Sequence, residues 1–352
     1  MDNLKDSGLD SLIDSMPEPS VPKFQLKTLE KVIKDTEGAV KPPQLLDYFL
    51  IKGEFSIFFG ASGTGKSVWL DQVLRSIALN VPIGSLALQT QRPLKCLLVD
   101  YEMSDELYSQ RCKGKDNNLN NNYLQMRPDD FPVDMSPSDF LMQELESIIV
   151  EHNIEVVGID NFTAIWPNVE SSEDAALVIE AFKVLMKKYG TTFIMVCHTP
   201  KMDPREPIEQ RHLKGSSTLA QLTPGSVWAI GKSYSDVSNR YLKQIKSRNQ
   251  REIYNGDKVV TLRLHDTNGL QFDVVSLNDS ERDHLRAESA VFDDCEIKAA
   301  LQRPDRPSIS AVADELGVKR HRVASASKSL KSEGTLRSDD GKNSLGGQGV
   351  NE

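Results

Sequence analysis

The sequence predicts an α/β fold with a mostly parallel sheet, followed by a small C-terminal helical module. Three observations carry this reading. Short apolar runs at Phe55–Phe59, Cys96–Asp100, Val156–Asp160, Phe193–Cys197 and Val227–Ile230 have strand length and are separated by segments of helical apolar spacing, as in sheets covered by helices on both faces. The first run leads directly into Gly60-Ala61-Ser62-Gly63-Thr64-Gly65-Lys66-Ser67, and then into Val68, Leu70, Val73, Leu74, Ile77 and Ala78 at helical spacing. That order of strand, glycine turn and helix is the context G-x-x-x-x-G-K-[ST] requires. From about Glu281 the pattern changes to short amphipathic helices.

Taken in order, residues 1–40 are rich in charge, Ser and Pro and read as a flexible arm with a short helix near Leu26 to Ile33. Pro42-Pro43 punctuates the entry to an α/β core over 41–280. Within it, Phe140–Val150 and Ala175–Lys188 read as amphipathic helices, and Asn117–Asn122 as a turn. Arg240–Ser247 and Val259–Leu264 alternate apolar with polar residues, as half-exposed antiparallel strands do. Over 290–337, a helix from Ile309 closes at Gly317 and a second runs from Lys319 to Lys331. This is helix-turn-helix spacing, and Gly334-Thr335-Leu336 would begin a wing, making a winged-helix module. From Glu296 to Arg337 there are nine Lys/Arg against five Asp/Glu, so the module is basic although the chain carries a net charge of -9. Its candidate DNA contacts are Lys319, Arg320 and Arg322. The tail over 338–352 has the composition of a disordered segment.

The 352 residues allow a full core plus a small module. No apolar run approaches the ~20 residues of a membrane span, which argues against a membrane partner. Met1-Asp2-Asn3-Leu4-Lys5-Asp6 lacks the pattern of a secretory signal. The four cysteines have no C-x-x-C spacing, and Cys96 and Cys197 sit inside apolar runs as small buried hydrophobes. A cytoplasmic setting fits these features.

The glycine-rich octapeptide is built for phosphate. Its backbone N–H groups close around the phosphates at a helix N-terminus. Lys66 would reach the β- and γ-phosphates and Ser67 would ligate Mg²⁺, which makes ATP and Mg²⁺ the expected cofactors. Hydrolysis needs a second carboxylate near the metal and a group to deprotonate water. Asp160 ends an apolar strand in the Walker B manner, with Asn161 extending the polar network. Cys96-Leu97-Leu98-Val99-Asp100-Tyr101-Glu102 delivers Glu102 to the ligand-binding edge of a parallel sheet, where it could serve as the base, with Asp100 as the fallback. A dinucleotide-binding G-x-G-x-x-G reading fails on residues 60 to 67.

The order of P-loop, Glu102 strand, Asp160 strand and Phe193-Ile194-Met195-Val196-Cys197-His198 resembles the RecA-like ATPase core. Within it, the chain is similar to the RepA-type hexameric plasmid helicases and their DnaB-like relatives, a group also described as AAA-type RecA-like. The resemblance spans roughly Gln44 to Leu277. It implies that Glu102 is the catalytic base and that His198 senses the γ-phosphate. It implies too that Lys246 and Arg248, in Lys246-Ser247-Arg248, reach a neighbouring subunit's γ-phosphate, with Arg248 as the arginine finger. By the same resemblance the loop from Lys201 to Lys214 faces a central channel, with Lys201, Arg205, Arg211, Lys214, Ser216 and Ser217 as candidate nucleic-acid contacts. Asp203, Glu206 and Glu209 dilute that loop's charge. The implied protein is a homo-oligomer, a hexamer by analogy, acting on DNA, single-stranded by expectation, as a replicative ring helicase. An ATP-switched DNA-binding regulator or loader, and a recombination ATPase, stand as alternatives.

Overall fold

The computed structural model describes residues 26–38, 44–115, 119, 121–127, 134, 136–162, 166, 172–200, 202–203, 205–213, 217–248, 251–285, 294–304, 308–316 and 320–332. The chain divides into two units, Met1–Lys41 and Pro42–Glu352. In the first, helix α1 (Leu29–Asp35) starts where the Thr28 hydroxyl accepts from the Lys31 N–H. It lies slightly C-terminal to the helix expected there.

The second unit opens with a short antiparallel pair, β1 (Gln44–Leu46) and β2 (Leu50–Ile51). Then come β3 (Phe55–Gly60), α2 (Lys66–Leu79), β4 (Cys96–Asp100), α3 (Asp105–Arg111), β5 (Tyr123–Met126) and α4 (Pro137–His152). They are followed by β6 (Val156–Asp160), α5 (Ser172–Tyr189), β7 (Thr192–His198), α6 (Ser217–Leu222) and β8 (Val227–Lys232). The large sheet closes with β9 (Asn239–Lys246), β10 (Val259–His265) and β11 (Gln271–Asp279), and α7 (Glu281–Leu285) ends this part of the chain.

The sheet has nine strands in the order β11-β10-β9-β8-β3-β7-β6-β4-β5. Strands β8, β3, β7, β6, β4 and β5 pair in parallel, and β9, β10 and β11 add antiparallel to the β8 side. Because side chains alternate between faces, Phe55, Ile57 and Phe59 pack with Leu141 and Leu145 of α4 and Phe182 of α5, while Phe58 packs with Trp69 and Leu70 of α2. Burial on both faces explains why these strands read as continuous apolar runs. The short β5 and the outermost β11 escaped the sequence reading: every residue of β5 is half-buried, and β11 alternates irregularly.

All the parallel strands finish at one edge. In register, Gly60 faces His198 and Asp100 faces Asp160. Lys232 ends β8 at the same edge.

Helix α2 is anchored by a buried polar hub. The Asp71 carboxylate accepts from Arg75 Nε (3.1 Å), Lys115 Nζ (2.8 Å), Tyr108 Oη (2.7 Å) and Tyr123 Oη (2.9 Å). Arg75 also reaches the Cys112 sulfur at 2.9 Å. The hub thus ties α2 to α3, to the segment after it and to β5.

Helices α8 (Asp294–Leu301), α9 (Ile309–Glu315) and α10 (Arg320–Ser332) form a cluster of their own around Ile297, Leu301, Val312, Val323, Ala326 and Leu330. The Ser308 hydroxyl caps α9 by accepting from the Ala311 N–H. The expected wing and tail lie outside the described residues.

Burial raises the Asp71 carboxyl, but Lys115 and Arg75 outweigh it and hold it below its ordinary value. Its contribution to stability is therefore fully present above the unfolded value of about 3.9 and is lost as the pH falls through the lower, folded value. Asp71→Asn keeps the shape and leaves two buried cations without their carboxylate, so it should cost about 3–5 kcal/mol in urea unfolding followed by circular dichroism. A loss under about 1 kcal/mol would show that the hub does not anchor the helix.

Candidate active site

The site grows from the β3–α2 turn. Gly65 precedes α2 with φ +92°, in the left-handed region that glycine tolerates, and a Cβ there would stand 2.6 Å from the Phe272 ring. At the other end of the loop a Cβ on Gly60 would meet the Ile230 carbonyl oxygen at 2.3 Å. The loop is therefore pressed between α2, β8 and β11. Lys66 is buried and donates to the carbonyls of Gly60 and Ala61, both at 3.0 Å. Burial draws its ammonium below the ordinary lysine value, and Asp160 and Glu102 offset part of that fall.

Asp160 ends β6 beside this lysine. Burial pushes its pKa up to about 7; a hydrogen bond from Ser67 works against the shift, and the charges of Glu102 and Asp100 add to it. Its Oδ1 is buried with no hydrogen-bond partner among the described residues. A hydroxyl and an unsatisfied carboxylate oxygen, both oxygen donors, suit a hard cation that keeps water and phosphate ligands. Among the described residues no group of three or more His, Cys, Asp and Glu forms a metal cage. The residues present thus fit Mg²⁺ held by Ser67 and Asp160 together with a nucleotide, where it would neutralise charge on the phosphate oxygens.

Glu102 and His198 meet across Asn161. The Asn161 amide nitrogen donates to Glu102 Oε1 in a short contact and lies 2.8 Å from His198 Nε2. An amide nitrogen only donates, so this contact puts the His198 ring proton on Nδ1. Glu102 Oε1 is also 3.5 Å from His198 Nε2, and the Glu102 side chain stays 41% exposed, open to a water molecule. Asp100 is built differently: its buried Oδ1 accepts from the N–H groups of Glu102 (2.9 Å) and Met103 (3.1 Å). It shapes the turn that presents Glu102, which leaves Glu102 as the better placed base.

Other sequence-selected residues lie apart. Lys246 donates to the carbonyls of Ala220 (2.5 Å), Gln221 (2.7 Å) and Thr223 (3.0 Å), and Arg248 donates to Gln221 as well. The pair holds the C-terminal end of α6, and burial with the nearby Arg248 charge lowers the Lys246 pKa to about 8. Arg205 pairs with Asp203 at 2.9 Å and Arg211 with Glu209 at 3.1 Å, so their charge is largely offset locally. Ser217 opens α6, and Arg320 and Arg322 lie in the first turn of α10, with Arg320 exposed. Lys201, Lys214, Ser216 and Lys319 lie outside the described residues.

Two residues at the loop escaped the sequence reading. Arg240, near the start of β9, is buried and donates from Nε to the Thr64 carbonyl at 3.2 Å. Lys232 Nζ lies 3.5 Å from where a Cβ on Gly63 would sit. Only strand pairing brings them there, so no local motif could have marked them.

The AAA domain family model matches residues 21–204 of this chain, just over half of it. The chain belongs to the AAA domain family. The match covers the P-loop and the strands ending at Asp100, Asp160 and His198, and it stops before α6 and β8–β11. AAA domains are P-loop ATPases, and the site described here has the parts of one. No curated protein matches the chain.

Glu102→Gln should retain nucleotide affinity while slowing hydrolysis about 10²- to 10⁴-fold, the usual worth of a general base. Lys66→Ala should instead lose affinity, read by titration of a fluorescent ATP analogue. Near-native turnover in Glu102→Gln would transfer the base role to another acid.

Proposed function

We propose that this AAA-family ATPase is a nucleic-acid-dependent motor that works as a homo-oligomeric ring, a replicative DNA helicase of a plasmid or other mobile element. It uses ATP and Mg²⁺, assembles as a hexamer and operates in the cytoplasm on single-stranded DNA. Lys66 and the loop Gly60–Ser67 bind the phosphates, Ser67 and Asp160 hold the metal, Glu102 deprotonates water and His198 reads the γ-phosphate through Asn161.

The observation that supports the ring is the direction of β9. Its start pairs with the end of β8, Arg240 opposite Lys232, and its end pairs with the beginning of β8, Lys246 opposite Val227. Six residues at about 3.3 Å each carry Lys246 about 20 Å from the P-loop edge, with Arg248 beyond it. An arginine so far from its own loop can meet a γ-phosphate only on another subunit. Its planar guanidinium suits charge spreading over phosphate oxygens. The separate core of α8–α10, with Arg320, Arg322, Lys328 and Lys331 along α10, supports a helix-turn-helix module for nucleic acid.

Arg248→Ala and Lys66→Ala should each be inactive alone, with Arg248→Ala slowed about 10³- to 10⁵-fold and still binding nucleotide. Mixed subunits shown by native mass spectrometry to co-assemble should regain ATPase activity, because some interfaces then join an intact loop to an intact finger. No recovery at any mixing ratio would end the trans-finger reading. Native mass with a non-hydrolysable ATP analogue and single-stranded DNA should give a closed six-subunit species. Open polymers would favour a filament-forming recombinase instead.

A further inference from the structure

The phosphate site has an electrostatic asymmetry that its sequence motifs leave unresolved. On one side of β3, strands β7, β6 and β4 contribute His198, Asp160 and the Asp100–Glu102 turn. Lys66 faces the charges of both Asp160 and Glu102. A polyphosphate entering there adds anions to a cluster already rich in carboxylates, and water-poor sites amplify such repulsion.

The opposite side of β3 carries the balancing charge. Ile57, Phe58 and Phe59 pair with Val227, Trp228 and Ala229, and Ile230 stands against Gly60 closely enough to exclude a Cβ. That contact sets the end of β8 against the start of the P-loop. Two residues further on, Lys232 extends its ammonium to the crown of the loop at Gly63. Lys232 is exposed, and it makes no ion pair with a carboxylate among the described residues. Lys232, Ala61 and Thr64 also border one small, mostly apolar cavity of about 60 Å³, with Glu206 and Tyr241 on its wall. Next to it, Arg240 donates from Nε to the Thr64 carbonyl and from Nη1 to the carbonyls of Val237 and Asn239, and so braces the loop crown.

We propose that Lys232 is a second phosphate ligand, contacting in cis the phosphate chain of the nucleotide held by Lys66, and that Arg240 is a positioning residue for the loop crown. This rests on the reading of residues 60–67 as the nucleotide site. An ammonium on a flexible stem can follow phosphate oxygens as they shift, which suits the open side of the loop. The division of labour is then clear: Lys66 is buried and tied to loop carbonyls, whereas Lys232 arrives from solvent.

Fluorescent ATP and ADP analogues and unlabelled adenosine would be titrated against the full-length native chain, Lys232→Ala, Lys232→Arg and Lys66→Ala. Lys232→Ala should weaken ATP and ADP binding about 10- to 100-fold, the worth of one charge-assisted contact, and flatten the salt dependence of both. Lys232→Arg should keep most of the affinity, and adenosine binding should be unchanged in every Lys232 variant. Native affinity for ATP and ADP in Lys232→Ala, with binding lost in Lys66→Ala, would overturn the proposal while leaving the nucleotide site standing. Equal losses for adenosine would overturn it too, by moving the contact to the base or ribose. Native affinity in both Lys232→Ala and Lys66→Ala would remove the nucleotide-site reading itself.

Discussion

Burying an ammonium and a carboxylate at the ends of adjoining structural elements, with neither fully satisfied, is the constraint on which this site depends. Among the described residues Lys66 is bonded only to neutral carbonyls, and Asp160 keeps one buried oxygen without a partner. Burial moves both groups toward their neutral forms, the lysine downward and the aspartate up to about 7. Leaving such groups dry and unmatched is costly. A phosphate chain and a divalent cation would supply the missing counter-charges, and the protein's unfavourable electrostatics would then become binding energy for a nucleotide.

Two sets of contacts hold that arrangement. Below the loop, Asp71 ties α2 to Tyr108 of α3 and to Lys115, while Asp100 folds the intervening turn by accepting two backbone N–H groups. The helix carrying Lys66 and Ser67 and the turn carrying Glu102 are thereby parts of one rigid assembly. Above the loop, Arg240 grips the Thr64 carbonyl and Phe272 occupies the space that a side chain at Gly65 would need. Rigid positioning of this kind is what general-base catalysis needs, because a proton transfer tolerates little displacement.

Strand β9 connects two distant surfaces. Its first residues steady the protein's own loop, and Lys246 and Arg248 at and beyond its end brace the carbonyls of α6 on the far edge of the sheet. Helix α6 follows the charged loop that begins after His198. A phosphate drawing Lys246 and Arg248 away from α6 would therefore disturb the helix that follows that loop. The proposed subunit contact and the proposed nucleic-acid loop are mechanically adjacent.

Local sequence by itself determined the parts whose physics is local. Gly60–Ser67 announces a phosphate loop because that spacing of glycines lets the backbone fold around an anion and start a helix. Cys96–Asp100 and Val156–Asp160 are strands to the residue, since burial on both faces demands unbroken apolar runs. Glu102 and Asp160 stood out as candidates because each stands at or just beyond the end of such a run, whereas His198 was picked out by the family resemblance. The short edge strand β5 and the irregular β11 were not, because partial burial leaves no clear period. Tertiary structure alone decided the rest. It converted Asp100 from a spare base into the brace of a turn, linked Glu102 to His198 through Asn161, and turned Lys246 and Arg248 onto α6. It also brought Lys232 and Arg240 to a loop well over a hundred residues earlier in the chain. The reason is strand pairing: register across a sheet joins residues distant in sequence, and no pattern within either segment records which neighbour it will meet.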